Sequence, residues 1–141
     1  MLPTIWGHCA WNFIHLVAVA YPENPSENDK INYYNFFHSL QFILPCKKCR
    51  SNMSQHLSKF PLTEEALSSR SNLVKWTIDF HNIVNYYTGK KMLTYPQAMN
   101  EINKLFSPKK SKNKFILYLL LVIIIIIIIY VVYRYKKKLN Y

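Results

Sequence analysis

Cys46 and Cys49, in the stretch LPCKKCR at residues 44–50, are two of only three cysteines in a chain of 141 residues. Two thiols spaced this way support three chemistries: a redox pair that opens and closes a disulfide, half of a zinc site, or an inert pair. On the first turn of a helix the pair closes with little movement. The helix N-terminus together with Lys47, Lys48 and Arg50 favours the thiolate, the form that attacks a disulfide. Zinc needs two further ligands, for which Cys9, His8, His38, His56 and His81 are the candidates. None of them forms a second Cys-x-x-Cys or a His-x3-His pair, and His56 follows Cys49 by seven residues, so no metal site is expected. No alternating strand pattern precedes LPCKKC, which excludes a thioredoxin-like setting. A dithiol that works as an oxidant in a reducing compartment needs an electron outlet, and a flavin provides one.

Polar and aromatic residues elsewhere suit such a group. WGHCAWNFIH places Trp11 and His15 one turn apart, and KWTIDFHNIVN places His81, Val84 and Asn85 on one helical face with Trp76 nearby. Each has a plainer reading: tryptophan and histidine in an amphipathic helix are usually core residues, and asparagine near a helix end is often a cap. Together, two asparagines and a histidine on an otherwise apolar helix need partners, which a ring system with polar edges would supply.

The elements that must position these residues read as helices. Residues 1–106 hold only Gly7 and Gly89, and the prolines fall between segments. Five helices are expected: about Thr4–Ala20; from the Ser26/Asp29 cap to about Ile43; from Pro45, with both cysteines on its first turn; about Leu67–Tyr87; and from Thr94 as N-cap, with Gln97 three residues on, to about Phe106. Residues 107–114 read as a basic linker. FILYLLLVIIIIIIIYVVY at 115–133 is charge-free and, at about 1.5 Å per residue, matches a hydrocarbon core of roughly 30 Å, so it is read as a transmembrane helix followed by a basic tail at 134–141. MLPTIWGHCAW does not resemble a secretory signal, so a C-terminal anchor with the rest of the chain on the cytosolic side of a host or virion membrane is expected. Basic residues flank the apolar run equally and do not choose its orientation. Eight of the eighteen Lys and Arg residues behind the net charge of +11 lie in those flanks, which removes the case for nucleic-acid binding.

Three ordered blocks give the chain a family resemblance. WGHCAWNFIHLVAVAYPENP, LPCKKC and WTIDFHNIVNYYTGK resemble the Erv/ALR family of FAD-linked sulfhydryl oxidases, in particular the short forms of large nucleocytoplasmic DNA viruses, over about residues 6–97. The resemblance implies an all-α four-helix bundle plus a short fifth helix, a homodimer, and FAD held between the helices. It implies that Gly7, His8, Trp11, His15, Tyr21, His81, Asn82, Val84, Asn85, Lys90 and Tyr95 line the cofactor, that Cys46 exchanges with substrate, and that Cys49 faces the flavin. It further implies oxidation of dithiol proteins, with oxygen taking the electrons to give hydrogen peroxide. His8 stands where the family usually has arginine, and Tyr95 where many members have a tryptophan. A second cysteine pair is missing, so substrate meets Cys46 directly or through a separate viral thiol protein. Cys9 is expected to be a small buried apolar residue, the alternative being a third relay thiol. The reading from another class is a tail-anchored virion protein whose cysteine pair is structural or binds zinc.

Overall fold

The computed structural model describes residues 1–107 and 112–139, with side chains over 1–107 and 117–137. All regular structure among the described residues is helical: α1 Pro3–Val19, α2 Glu27–Ile43, α3 Lys47–Lys59, α4 Arg70–Tyr87, α5 Tyr95–Phe106 and α6 Lys112–Leu139. The chain divides into two units, Met1–Phe106 and Ser107–Tyr141.

Local chemistry sets most of the boundaries. Pro3 sits in the first turn of α1, where its fixed φ and missing N–H are harmless. Ser26 caps α2 through a capping box: its hydroxyl accepts from Asp29 N–H at 3.2 Å while the Asp29 carboxylate accepts from Ser26 N–H at 2.9 Å. Thr94 and Gln97 exchange the same two bonds at the start of α5.

Two starts differ from the sequence-based expectation. Pro45 does not open α3. A proline excludes the helical region for the residue before it, and Leu44 accordingly takes ψ 137°. Cys46 is also extended and becomes the N-cap, so α3 begins at Lys47. Likewise α4 begins at Arg70 rather than Leu67, because Ser69 caps it by accepting from Asn72 N–H at 3.2 Å. Leu67 is still buried, in a single turn before the cap.

Within the first unit α1 packs on α4, α2 on α3, and α3 on α4, while α5 closes against α1 and α4. The core between them includes Ile14, Ala18, Phe37, Leu40, Met53, Leu57, Leu73, Trp76, Ile78 and Phe80. Burying a large apolar side chain stabilises by about 1.5–3 kcal/mol, so the Phe37, Phe60, Trp76 and Phe80 cluster is a main contributor. Trp76 also donates its Nε1–H to the Pro61 carbonyl at 3.1 Å, which ties the α3–α4 connection down.

The C-terminus of α4 ends in a Schellman turn. Lys90 N–H bonds the Asn85 carbonyl at 2.8 Å, Gly89 N–H bonds that of Tyr86 at 3.2 Å, and Gly89 takes φ 67°, a conformation that costs a side chain-bearing residue about 1–2 kcal/mol.

In the second unit, α6 extends past both ends of the expected span at 115–133, so residues 112–114 of the expected linker and 134–139 of the expected tail are helical. Lys109 and Lys110, with Asn140 and Tyr141, lie outside the described residues. Leu117–Lys137 is long and apolar enough to cross a membrane.

Candidate active site

Cys46 and Cys49 are joined in a disulfide with their Cα atoms 5.0 Å apart. The N-cap position of Cys46 gives its sulfur a specific partner, because Sγ accepts from Cys49 N–H at 3.2 Å. Donation from backbone N–H and the positive end of the α3 dipole both favour a thiolate at this atom when the pair is reduced. From the cap, Cys49 and Met53 follow along one face of α3, and Met53 is buried. Met53 lines a small apolar cleft with Trp11, Ile14, Phe37, Leu40, Trp76, Thr77 and Phe80. The cysteine pair therefore stands at the end of a stripe that runs into the junction of α1, α2, α3 and α4.

Trp11, His15 and His81 meet at that junction. The Trp11 and His81 rings stack with centroids 3.9 Å apart and planes 5° from parallel. His15 Nε2 and His81 Nδ1 are 2.9 Å apart, so one ring donates and the other accepts. Burial pushes His15 down to about 4, and burial with the charges of His15 and Lys90 pushes His81 down to about 3. Both are neutral at pH 7, and each keeps hydrogen-bonding atoms without a charge.

The other expected site residues are spread more widely. Val84 packs on the core, and Asn85 lies one turn beyond His81 on α4, with its carbonyl in the Schellman turn that places Lys90. Lys90 and Tyr95 are exposed. His8 is exposed and pairs through Nε2 with Asn12 Nδ2 at 3.2 Å. At Gly7 a Cβ would meet nothing within 4 Å, so the glycine borders open space.

Two of the expected residues are tied to backbone groups by their side chains. Tyr21 is fully buried and donates its hydroxyl to the Leu67 carbonyl at 2.8 Å. Asn82 is also committed, because its Nδ2 donates to the Leu93 carbonyl at 2.8 Å and its Oδ1 accepts from Leu93 N–H at 2.9 Å. These bonds make Tyr21 a core brace and Asn82 a clamp on the segment that leads into α5.

Cys9 is exposed, against the expectation of a buried apolar residue. It stands between Ile5 and Phe13 at four-residue spacing, on the side of α1 away from Ile14 and Ala18. Among the described residues no three of His, Cys, Asp and Glu gather as a metal would require.

The donor set fits a flavin nucleotide. His15 Nδ1 and Trp6 Nε1 are buried without a hydrogen-bond partner, and an orphaned buried polar atom costs about 1–3 kcal/mol. A polar-edged ring placed against an apolar cleft, with a lysine at the neighbouring helix end for phosphate, answers those needs.

Arg50 was not singled out as a positioning residue from sequence. Its Nη1 donates to the Leu44 carbonyl at 2.6 Å and fastens the segment before Cys46 onto α3. Its position next to Cys49 was visible, but the carbonyl it reaches depends on the bend at Pro45. Replacing Arg50 with methionine is expected to lower kcat/KM for a small dithiol about tenfold and to shift the reduction potential of the cysteine pair. Arg50→Lys should restore part of both, and a methionine variant with unchanged potential would remove the positioning role.

A model of the Erv1/Alr family matches residues 8–117. The chain is 61% identical over 142 residues to a probable FAD-linked sulfhydryl oxidase of Acanthamoeba polyphaga mimivirus, and the match covers 99% of both. It is 30% identical over 95 residues to the FAD-linked sulfhydryl oxidase of African swine fever virus, covering 67% of this chain and 77% of the relative. The crystal structure of the FAD binding domain of Erv1 from Saccharomyces cerevisiae superposes with TM-score 0.60 at 26% identity, covering 67% of this chain and 87% of that one.

Proposed function

The chain belongs to the Erv1/Alr family, and from that premise we propose that it is an FAD-dependent thiol oxidase that forms disulfide bonds in protein substrates. The observation that carries the reading is the Cys46–Cys49 disulfide at the head of an α3 face that leads through Met53 to the Trp11 cleft.

A substrate thiolate attacks Cys46 Sγ, breaking the bond to Cys49, which leaves as a thiolate. A second substrate thiolate then attacks the substrate sulfur of the mixed disulfide and frees Cys46. The substrate is oxidised by two electrons, and the cysteine pair now holds them. The Cys49 N–H and the α3 N-terminus stabilise the freed Cys46 sulfur as an anion. When bound, FAD supplies a two-electron acceptor that oxygen reoxidises, with hydrogen peroxide as product.

Gly7, His8, Trp11, His15, Tyr21, His81, Asn82, Val84, Asn85, Lys90 and Tyr95 would hold the nucleotide. The neutral His15 and His81 rings bring hydrogen bonds without charge. A homodimer is part of the same reading, supported by the exposed apolar side chains Ile5, Phe13 and Ile31 on α1 and α2. With one redox pair in the chain, dithiol proteins reach Cys46 directly or through a separate viral thiol protein, in the service of virion proteins.

The test is direct. The purified full chain should be yellow, should release FAD on denaturation, and should consume oxygen when given a dithiol. A colourless protein that takes up no FAD would overturn the reading.

Membrane tethering through α6, with the catalytic unit on the cytosolic side, completes the proposal and is checked by protease protection of intact membranes. Leu117–Tyr133 carries no titratable group other than tyrosine, so it offers no thiol or carboxylate to the reaction. Truncation after Phe106 is expected to leave small-dithiol turnover within about twofold, while slowing oxidation of a substrate anchored in the same membrane by about a hundredfold, the lower end of tethering effects. Loss of small-dithiol turnover with FAD still bound would show that α6 does more than tether.

A further inference from the structure

The surface around Cys46 carries positive charge that no ion pair among the described residues neutralises. From Lys30 to Thr63 the sequence contains no Asp or Glu. The ion pairs among the described residues all lie elsewhere: Glu27 with Lys30, Glu23 with Arg70, Asp79 with Lys75, and Glu101 with Lys104. Arg50 is held by the Leu44 carbonyl. Lys47 and Lys48, on the first turn of α3 between the two cysteines, are exposed and bind no acidic side chain.

Exposed apolar side chains lie on the segments that lead to these cations. Phe42 and Ile43 at the end of α2 are each 67% exposed, and Leu2 at the start of α1 is also 67% exposed. The start of α1 reaches this place through the Met1 amine, which lies 3.5 Å from the Pro45 carbonyl.

We propose that this surface selects protein substrates whose cysteine pair is flanked by acidic residues and an apolar side chain, which dock on Lys47 and Lys48 with the apolar group against Phe42 and Ile43. The proposal rests on the thiol-oxidase reading and names its substrate class. Charge complementarity favours this occupant, since two lysines and a helix N-terminus point the same sign at whatever approaches Cys46. A basic segment would meet repulsion at the same place.

The test uses the full-chain holoenzyme in neutral detergent and three peptides of equal length, each with a Cys-x-x-Cys pair flanked by Glu, Gln or Lys. The expected kcat/KM order is Glu above Gln above Lys, with about tenfold between the extremes at low salt, narrowing as salt rises. In the Lys47→Glu/Lys48→Glu double variant, with each rate normalised to that variant's own Gln peptide, the order should invert. Serine versions of the peptides give the same order as binding constants, so the docking is read even where no turnover occurs. A native enzyme that does not discriminate, or a preference for Glu that survives the double variant, overturns the proposal while oxidation of the Gln peptide leaves the oxidase reading standing. Absence of FAD and of all turnover sinks the oxidase reading instead. A double variant that alters only sedimentation, or only retention by phosphatidylserine vesicles, assigns the surface to a second copy or to lipid and also overturns the proposal.

Discussion

Cys46→Ser and Cys49→Ser each abolish dithiol-driven oxygen consumption, by at least about a thousandfold, while the protein stays folded and keeps its FAD. The size follows from the chemistry, because neither a lone thiol nor a serine hydroxyl can take two electrons from a dithiol and become a disulfide again. Folding survives for two reasons. The loop closed by this disulfide is very short, and loop-closure stabilisation grows with loop length. Serine is also among the best N-cap residues, so in Cys46→Ser the hydroxyl takes over the bond from Cys49 N–H, as Ser26 and Ser69 do at α2 and α4. Oxygen uptake, flavin absorbance and helical circular dichroism separate the outcomes. Loss of FAD from either variant would mean that the pair helps hold the cofactor.

Acid destabilises the protein steeply between pH 6.5 and about 4. His15 and His81 refuse a proton in the folded state until about 4 and about 3, whereas an unfolded imidazole accepts one near 6.5. Within that window the unfolded chain binds more protons, so stability is intact above pH 6.5 and falls as pH drops towards the folded values. One histidine gives a slope of up to about 1.4 kcal/mol per pH unit, and the pair about 2–3 kcal/mol per unit, a large fraction of the stability of a small domain. His56, also lowered by burial and by Lys59, acts in the same direction. Asp29 is held below the usual carboxylate range by its bonds to Ser26, so its loss comes later, at lower pH. Urea unfolding at pH 7, 6 and 5 gives the slope. His15→Gln/His81→Gln should flatten it; a variant with the native slope would assign acid sensitivity to other groups.

Much of this architecture was legible in the residues. The caps at Ser26/Asp29 and Thr94/Gln97 are short-range hydrogen-bond patterns, and both formed as read. The start of α3 was misread because two rules for proline compete at Pro45: it suits a first helical turn, but it also forces Leu44 and the chain behind it to stay extended. The second rule prevailed here, and it made a cysteine the cap. Cys9 was misread for another reason. Ile5, Cys9 and Phe13 form one apolar stripe of α1 and Trp11, Ile14 and Ala18 another, and periodicity does not say which faces inward when a helix is apolar on two sides. At the site, Trp11 with His15 and His81 with Asn85 were each visible as faces of single helices. The stack of Trp11 on His81 and the bond from His15 to His81 span 70 and 66 positions of sequence and arise only when α1 packs on α4. Tyr21 and Asn82 likewise bond the backbone of Leu67 and Leu93, 46 and 11 positions away, partners that only the packed fold supplies.

The proposed tethering through α6 has a consequence for lateral organisation in a bilayer. From Lys112 to Leu139 the helix contains no glycine, alanine, serine or threonine, the residues that let two spanning helices bring their backbones close or bond across the gap. Its middle is a sleeve of β-branched isoleucine with the same aspect on every side, so lipid chains solvate it as well as another helix would. Such a helix sets depth but not neighbours. On that proposal, any clustering of these molecules in a membrane is specified by the helices outside α6, and exchanging the isoleucine run for leucine should leave the oligomeric state in detergent and in bilayers unchanged.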